Sequence, residues 1–106
     1  MIRKVSQKQA AKNREKKDIR TRMLSVFMDI WHSRRHYSEI SGIWLGKEAL
    51  TVFFHHILPK SKYPEAMLDE ENIILLTFDE HTKVEGDPTC FKEVNKRREQ
   101  LKIKYG

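Results

Sequence analysis

Two adjacent histidines, His55 and His56, close an apolar run in the stretch TVFFHHILPKSKYP, residues 51–64. An imidazole titrates near pH 6.5, so it can take a proton from water or bind a divalent transition ion close to neutrality. Neighbouring side chains of a strand point to opposite faces. Two imidazoles in succession therefore imply two tasks, one directed toward the interior and the other away from it. A third histidine, His81, follows in TFDEHTKVE, and Asn72 opens the short apolar run between them. A helix carrying His81 and packed across a hairpin of the two runs brings His81 close to one of the strand histidines. That is the geometry a single divalent cation needs. An imidazole that activates water, beside a cation that offsets charge on a phosphate, is a combination suited to phosphodiester hydrolysis.

The elements that must position these residues follow from patterning. Ile19, Met23, Val26, Phe27, Ile30 and Trp31 recur on one face of a helix docked on a core. That helix can extend back toward residue 8 as a cationic projection. HSRRHYSEISG breaks the period, and Gly42 and Gly46 mark turns. Residues 49–54 read as a strand that Pro59 ends, residues 59–72 as a polar connection, and residues 73–76 as a second, buried strand. Thr77 and Glu80 form a T-x-x-E capping box for a helix that Gly86 stops. Asp87 and Pro88 read as the N-cap and first residue of a last helix, with Phe91, Val94, Leu101 and Tyr105 on its docked face. The expected hairpin packing comes from Ile40, Trp44, Phe53, Ile74, Leu76 and the helix of residues 19–31, with Trp31 also in the core. The fold class is α+β: a long N-terminal helix, a hairpin-helix core over about residues 49–86, and a C-terminal helix.

The 106 residues make one domain, about 19–106, preceded by a basic arm, 1–22. No apolar run approaches the roughly 20 residues of a membrane span. The first residues lack the apolar region of a secretory signal, so a cytoplasmic setting is expected. Cys90 is the single cysteine, which excludes an internal disulfide and a cysteine-built zinc knuckle; it reads as an inert packing residue. The net charge is +6, and residues 1–22 alone carry nine Lys or Arg against Glu15 and Asp18. All the excess charge therefore sits in the arm, which points to a polyanionic partner, nucleic acid first. Arg3, Lys4, Lys8, Lys12, Arg14, Lys16, Lys17 and Arg20 are the candidate phosphate contacts. Arg34 and Arg35 before the histidine pair, and Lys60 and Lys62 after it, are further candidates. Residues 1–18 offer almost no apolar face for a membrane surface. No heptad repeat decides between a monomer and a homodimer.

The segments FHHILPKS, ENIILL and DEHTKVE resemble the HNH endonucleases, whose nuclease centre is a ββα-metal motif. His55 and His56 stand where that family has Asp-His or His-His. Asn72 follows His56 by sixteen residues and His81 follows Asn72 by nine, spacings similar to the family's. The likeness covers roughly residues 37–85, and short phage-encoded members are the most similar. It implies that His55 and His81 bind one divalent ion, and that His56 is the general base for the attacking water. It implies that Asn72 ties the connecting loop to the strand and so orients His56. The substrate it implies is DNA, nicked or cut with weak sequence specificity, branched or recombination DNA included. For a phage-encoded protein the setting is the host cell cytoplasm. Magnesium is the ion expected in the cell, with manganese, nickel and zinc as alternatives in vitro. Two departures stand out. Many relatives staple the motif with two CxxC pairs and a structural zinc, which this chain lacks. Some relatives place a further histidine one turn after the last one, where this chain has Glu85, a candidate third ligand. The alternative reading is a catalytically inactive HNH-fold nucleic-acid-binding protein, against which the presence of every required residue argues.

Overall fold

Twenty-seven residues free of glycine and proline, Gln7–Ser33, form the first helix, α1. The protein is described here by a computed structural model covering the backbone of residues 7–106 and the side chains of residue 11 and residues 13–106. Arg3 and Lys4, and the side chains of Lys8 and Lys12, lie outside the described residues. The predicted apolar face of α1 is buried at Met23, Ile30 and Trp31 and half-buried at Val26 and Phe27. Ile19 is 43% exposed, because the core ends before it. Ala11 and residues 13–22 are exposed throughout, so the first half of the helix projects from the body.

The hairpin is displaced from its expected position. Residues Thr51–Phe53 coil into one 3-10 turn, and strand β1 is Phe54–His56. Strand β2, Ile73–Leu75, pairs with it antiparallel, with His55 opposite Ile74 and His56 opposite Ile73. The bonds Phe53 N–H to Leu50 O (3.0 Å) and Leu76 N–H to Phe53 O (2.9 Å) show why. The apolar run turns at residues 50–53, and Phe53 meets the far end of β2, leaving residues 54–56 to form the ladder. Both histidines thus belong to the strand.

Three layers result. Ile73, Leu75 and Phe54 pack with Ile30, Trp31 and Leu45 on the α1 side. Ile74 and Leu76 alternate to the other side, against Val84, Val94 and Leu101. Those three come from α2, Phe78–Gly86, and α3, Lys92–Tyr105. The capping box of α2 is complete: Thr77 Oγ1 accepts from Glu80 N–H at 3.1 Å, and Glu80 Oε1 accepts from Thr77 N–H at 2.8 Å. Asp87 does not start α3. Its N–H donates to Lys83 O (2.8 Å) and closes α2, and its carboxylate accepts from Thr89 N–H and Oγ1–H in a local turn. The last helix begins at Lys92, after Phe91 has anchored the chain on the core.

Two expected packing residues lie elsewhere. Trp44 bridges to Tyr37 across a turn in which Gly42 has φ +74°, and it is 57% exposed. Alternation sends its neighbour Leu45 into the core instead. Cys90 is exposed, because residues 87–90 form a surface turn between α2 and α3.

Polar bonds add to that packing. Glu39 N–H donates to Leu75 O (2.9 Å), and the Glu39 carboxylate accepts from Leu75 N–H (2.7 Å), Arg34 (2.8 Å) and Arg97 (3.0 Å). The buried Ser38 hydroxyl donates to Glu80 at 2.6 Å. The segment before the hairpin is thereby tied to β2, α2 and α3. No helix among the described residues is long and apolar enough to cross a membrane.

Candidate metal centre and the histidine beside it

His55 leaves β1 on the α2 side, and the capping box sets the phase of α2 so that His81 meets it. The two rings lie 5.3 Å apart, edge to face. Glu85 follows His81 by one helical turn, on the same face. Its Oε1 lies 3.0 Å from His81 Nε2 and 3.9 Å from His55 Nδ1. Ligand atoms of His55, His81 and Glu85 all fall within 4.8 Å of one another, so this cluster could hold a metal ion. Metal–ligand bonds of about 2 Å bring two donors on one ion to within about 4 Å. Glu85 Oε1 already lies within that distance of both imidazoles, so the small contraction needed falls between the His55 and His81 rings. Two imidazoles and a carboxylate leave positions open, the pattern of a catalytic rather than a structural site.

Burial lowers the His55 pKa from 6.5 to about 4; His81 also lowers it, Glu85 opposes the shift, and His56 and Arg98 add to it. His55 is therefore a neutral imidazole at physiological pH, the form that ligates a cation.

His56 leaves the strand on the opposite side, toward α1, with its ring 6.0 Å from that of Phe27. Because helices cover both faces of the hairpin, neither imidazole faces open solvent; both are half-buried. His56 Nε2 lies 3.0 Å from Met67 O. A carbonyl only accepts, so this bond assigns the hydrogen to Nε2 and leaves the lone pair on Nδ1. Burial pushes the His56 pKa down, the Met67 carbonyl opposes that, and Lys60 adds to the lowering.

Asn72 is wholly buried. Its Oδ1 accepts from Leu58 N–H (2.7 Å), and its amide donates to Leu58 O and Ala66 O, both at 3.1 Å. These bonds close the 58–72 connection on itself and fix Ala66, the residue before Met67. Asn72 thus reaches His56 indirectly, through the Met67 carbonyl.

His55, His56, His81 and Glu85 share one recess of about 550 Å³ with Lys60 and Arg98. The other sequence candidates are dispersed. Lys60 and Lys62 are exposed, and only Lys60 lines the recess. Arg34 is bonded to Ile73 O and Glu70 O, both at 2.7 Å, and to Glu39, so its charge is used inside the protein. Arg35 is exposed beside Tyr37 and Trp44 on a separate shallow groove. Arg14, Lys16, Lys17 and Arg20 are exposed on the projecting half of α1. His32 is exposed, and His36 stacks on Trp31 at 3.8 Å, so neither joins the cluster.

Arg98 is the site residue that sequence reasoning missed. Its signal was present: Val94, Arg98, Leu101 and Tyr105 recur at i, i+4, i+7 and i+11 on α3, placing one cation in an otherwise apolar row. No family model, curated protein or solved structure matches the chain.

Proposed function

We propose that the protein is a metal-dependent HNH-type endonuclease that hydrolyses phosphodiester bonds of DNA. One observation carries the reading: a two-histidine, one-carboxylate cluster and a separately oriented neutral imidazole open into one recess. His55, His81 and Glu85 would hold the ion. A divalent cation there supplies electrostatic stabilisation of the charge that gathers on the scissile phosphate. Magnesium is the ion expected in the cell, and manganese, nickel and zinc suit the imidazoles in vitro.

His56 takes the proton from the attacking water at Nδ1, while Nε2–H stays on Met67 O and holds the ring in that tautomer. The water oxygen bonds to phosphorus as the phosphorus–oxygen bond to the leaving sugar breaks, and the leaving oxygen takes a proton from solvent. Asn72 positions rather than reacts, through the loop that carries Met67. Recognition would rest on backbone and DNA shape, branched DNA included.

The test is conversion of supercoiled plasmid with added Mg²⁺, Mn²⁺ or Ni²⁺, with and without chelator. Metal-dependent nicking or linearisation that the chelator abolishes is expected. DNA binding without cleavage under any ion would instead leave an inactive HNH-fold binding protein.

A further inference from the structure

Arg98 lines the recess with no carboxylate partner among the described residues, and a helix face leads away from it. Arg97 and Arg98 are neighbours on α3 with different partners. Arg97 pairs with Glu39 and Glu93, both at 3.0 Å. Half-buried Arg98 instead donates to Asn95 Oδ1 at 2.8 Å and to Pro88 O, two neutral acceptors. It forms no ion pair among the described residues, so it is braced in position with its charge intact. Lys60 lines the same recess and is exposed. Met23 and Phe27 of α1 line it too.

At 100° per residue, Lys16 and Arg20 fall on the same side of α1 as Met23 and Phe27, whereas Arg14 and Arg22 fall on the back. Arg22 is moreover paired with Asp18 at 3.3 Å. Lys16 and Arg20 form no ion pair among the described residues and are exposed. Measured from Phe27, Arg20 and Lys16 lie about 10 and 16 Å along the helix axis at about 1.5 Å per residue.

We infer that these groups form one track for the phosphates of a single DNA strand, with Arg98 and Lys60 at the recess and Arg20 and Lys16 along the α1 face. The inference deepens the nuclease reading and rests on the recess accepting a phosphodiester. Arg98 holds the phosphate beside the metal cluster through the N–H groups its two carbonyl partners leave free. Arg20 and Lys16 hold phosphates further along. On a duplex lying beside α1, their reach corresponds to roughly three and five nucleotides at about 3.4 Å each. The basic arm is then directional, with one face touching DNA and the other in solvent.

The test measures affinity for a short fluorescent duplex in chelator across a salt series, so that no cleavage is involved. Lys16→Gln with Arg20→Gln should lower affinity roughly tenfold at moderate salt. It should also flatten the slope of log affinity against log salt by about 2, at about 0.9 per phosphate contact. Arg14→Gln with Arg22→Gln removes the same formal charge from the opposite face and should change the slope by well under 1. Both pairs lie on the projecting half of α1, so folding is not at stake. Arg98→Gln should weaken binding severalfold, and Arg98→Lys should restore part of it. Equal slopes for the two double variants, or wild-type affinity in Arg98→Gln, would overturn the track. Plasmid cleavage by the wild-type protein with metal is read separately, so a protein that binds along the track but does not cut would overturn only the nuclease reading.

Discussion

At the residue scale, the proposed centre rests on two imidazoles that are one residue apart and differently engaged. His55 faces His81 and Glu85, while His56 is held by Met67 O. His56→Ala should therefore abolish cleavage, by about 10²-fold or more, while metal affinity and melting temperature stay near wild type. A His56→Ala protein that cuts plasmid at the wild-type rate would show that another group takes the proton. His55→Ala and His81→Ala should each weaken binding of Mn²⁺ or Ni²⁺ by tenfold or more in calorimetry. Glu85→Gln should have a smaller effect, since it keeps an oxygen donor on an exposed side chain and loses only the charge. Undiminished affinity in both histidine variants would place the ion elsewhere. The pair, Asn72 and His81 were legible in the sequence because residue type and spacing carry them. Arg34 and Arg98 were not: both are arginines before and after the motif, and what separates them is their partners. Arg34 is spent on Glu39 and backbone carbonyls, whereas Arg98 meets only neutral acceptors. That distinction arises only after folding.

At the element scale, helices were easier to read than strands. The α1 periodicity and the T-x-x-E cap act over three to eight residues and survive in the fold as local bonds. The strand boundaries depend on what pairs across the sheet, and a three-residue ladder left residues 51–53 free to turn. Asp-Pro misled for a related reason, since Asp87 was used to end one helix and so could not begin the next. Long-range polar bonds were also hidden from sequence, and they support the hairpin where zinc-binding cysteines are absent. Glu39→Ala leaves Arg34 and Arg97 without their shared carboxylate and frees the Leu75 N–H, so it should cost about 3 kcal/mol in denaturant unfolding. Metal affinity per folded molecule should be unchanged, because Glu39 lies outside the cluster. A second tie is Asp69, which accepts from Lys104 (2.7 Å), from Tyr105 and from Glu71 N–H (3.0 Å), holding the end of α3 to the Asn72 loop. Burial raises its pKa, but the bonds from Lys104, Tyr105 and Glu71 outweigh that and hold it below the ordinary value. A depressed carboxyl stabilises the fold fully above its unfolded pKa, near 4, and loses that contribution as pH falls through the folded value. Asp69→Asn should melt on the order of 5 °C below wild type at pH 7, and the gap should close below about pH 4. A gap that stays constant down to pH 2 would mean that the carboxylate charge contributes nothing.

At the whole-molecule scale, the protein is long, 53 × 36 × 26 Å, because the exposed stretch of α1 that includes Ala11 and residues 13–22 projects from the body. A helix of 27 residues spans about 40 Å, more than the three-layer body requires. Residues 1–22 carry the excess positive charge of the chain, so the sequence divides into a cationic N-terminal part and a nearly neutral body that holds the recess. The division predicts separable functions. Removing residues 1–17 takes away seven Lys or Arg and leaves intact the helix from Asp18 onward, including the buried Met23, Ile30 and Trp31. The truncated protein should fold, with a melting temperature within a few degrees of the full chain. If about half of the seven cations reach phosphates, the slope of log affinity against log salt should flatten by roughly 3, at about 0.9 per contact. Cleavage at saturating DNA and low salt should persist, since the metal cluster, His56 and Arg98 all remain. A truncated protein with the full-length salt slope would show that the arm only solubilises the chain. The DNA surface would then have to lie on the body, where Arg98 and Lys60 in the recess and Arg35 and Lys62 outside it are the cations to remove next.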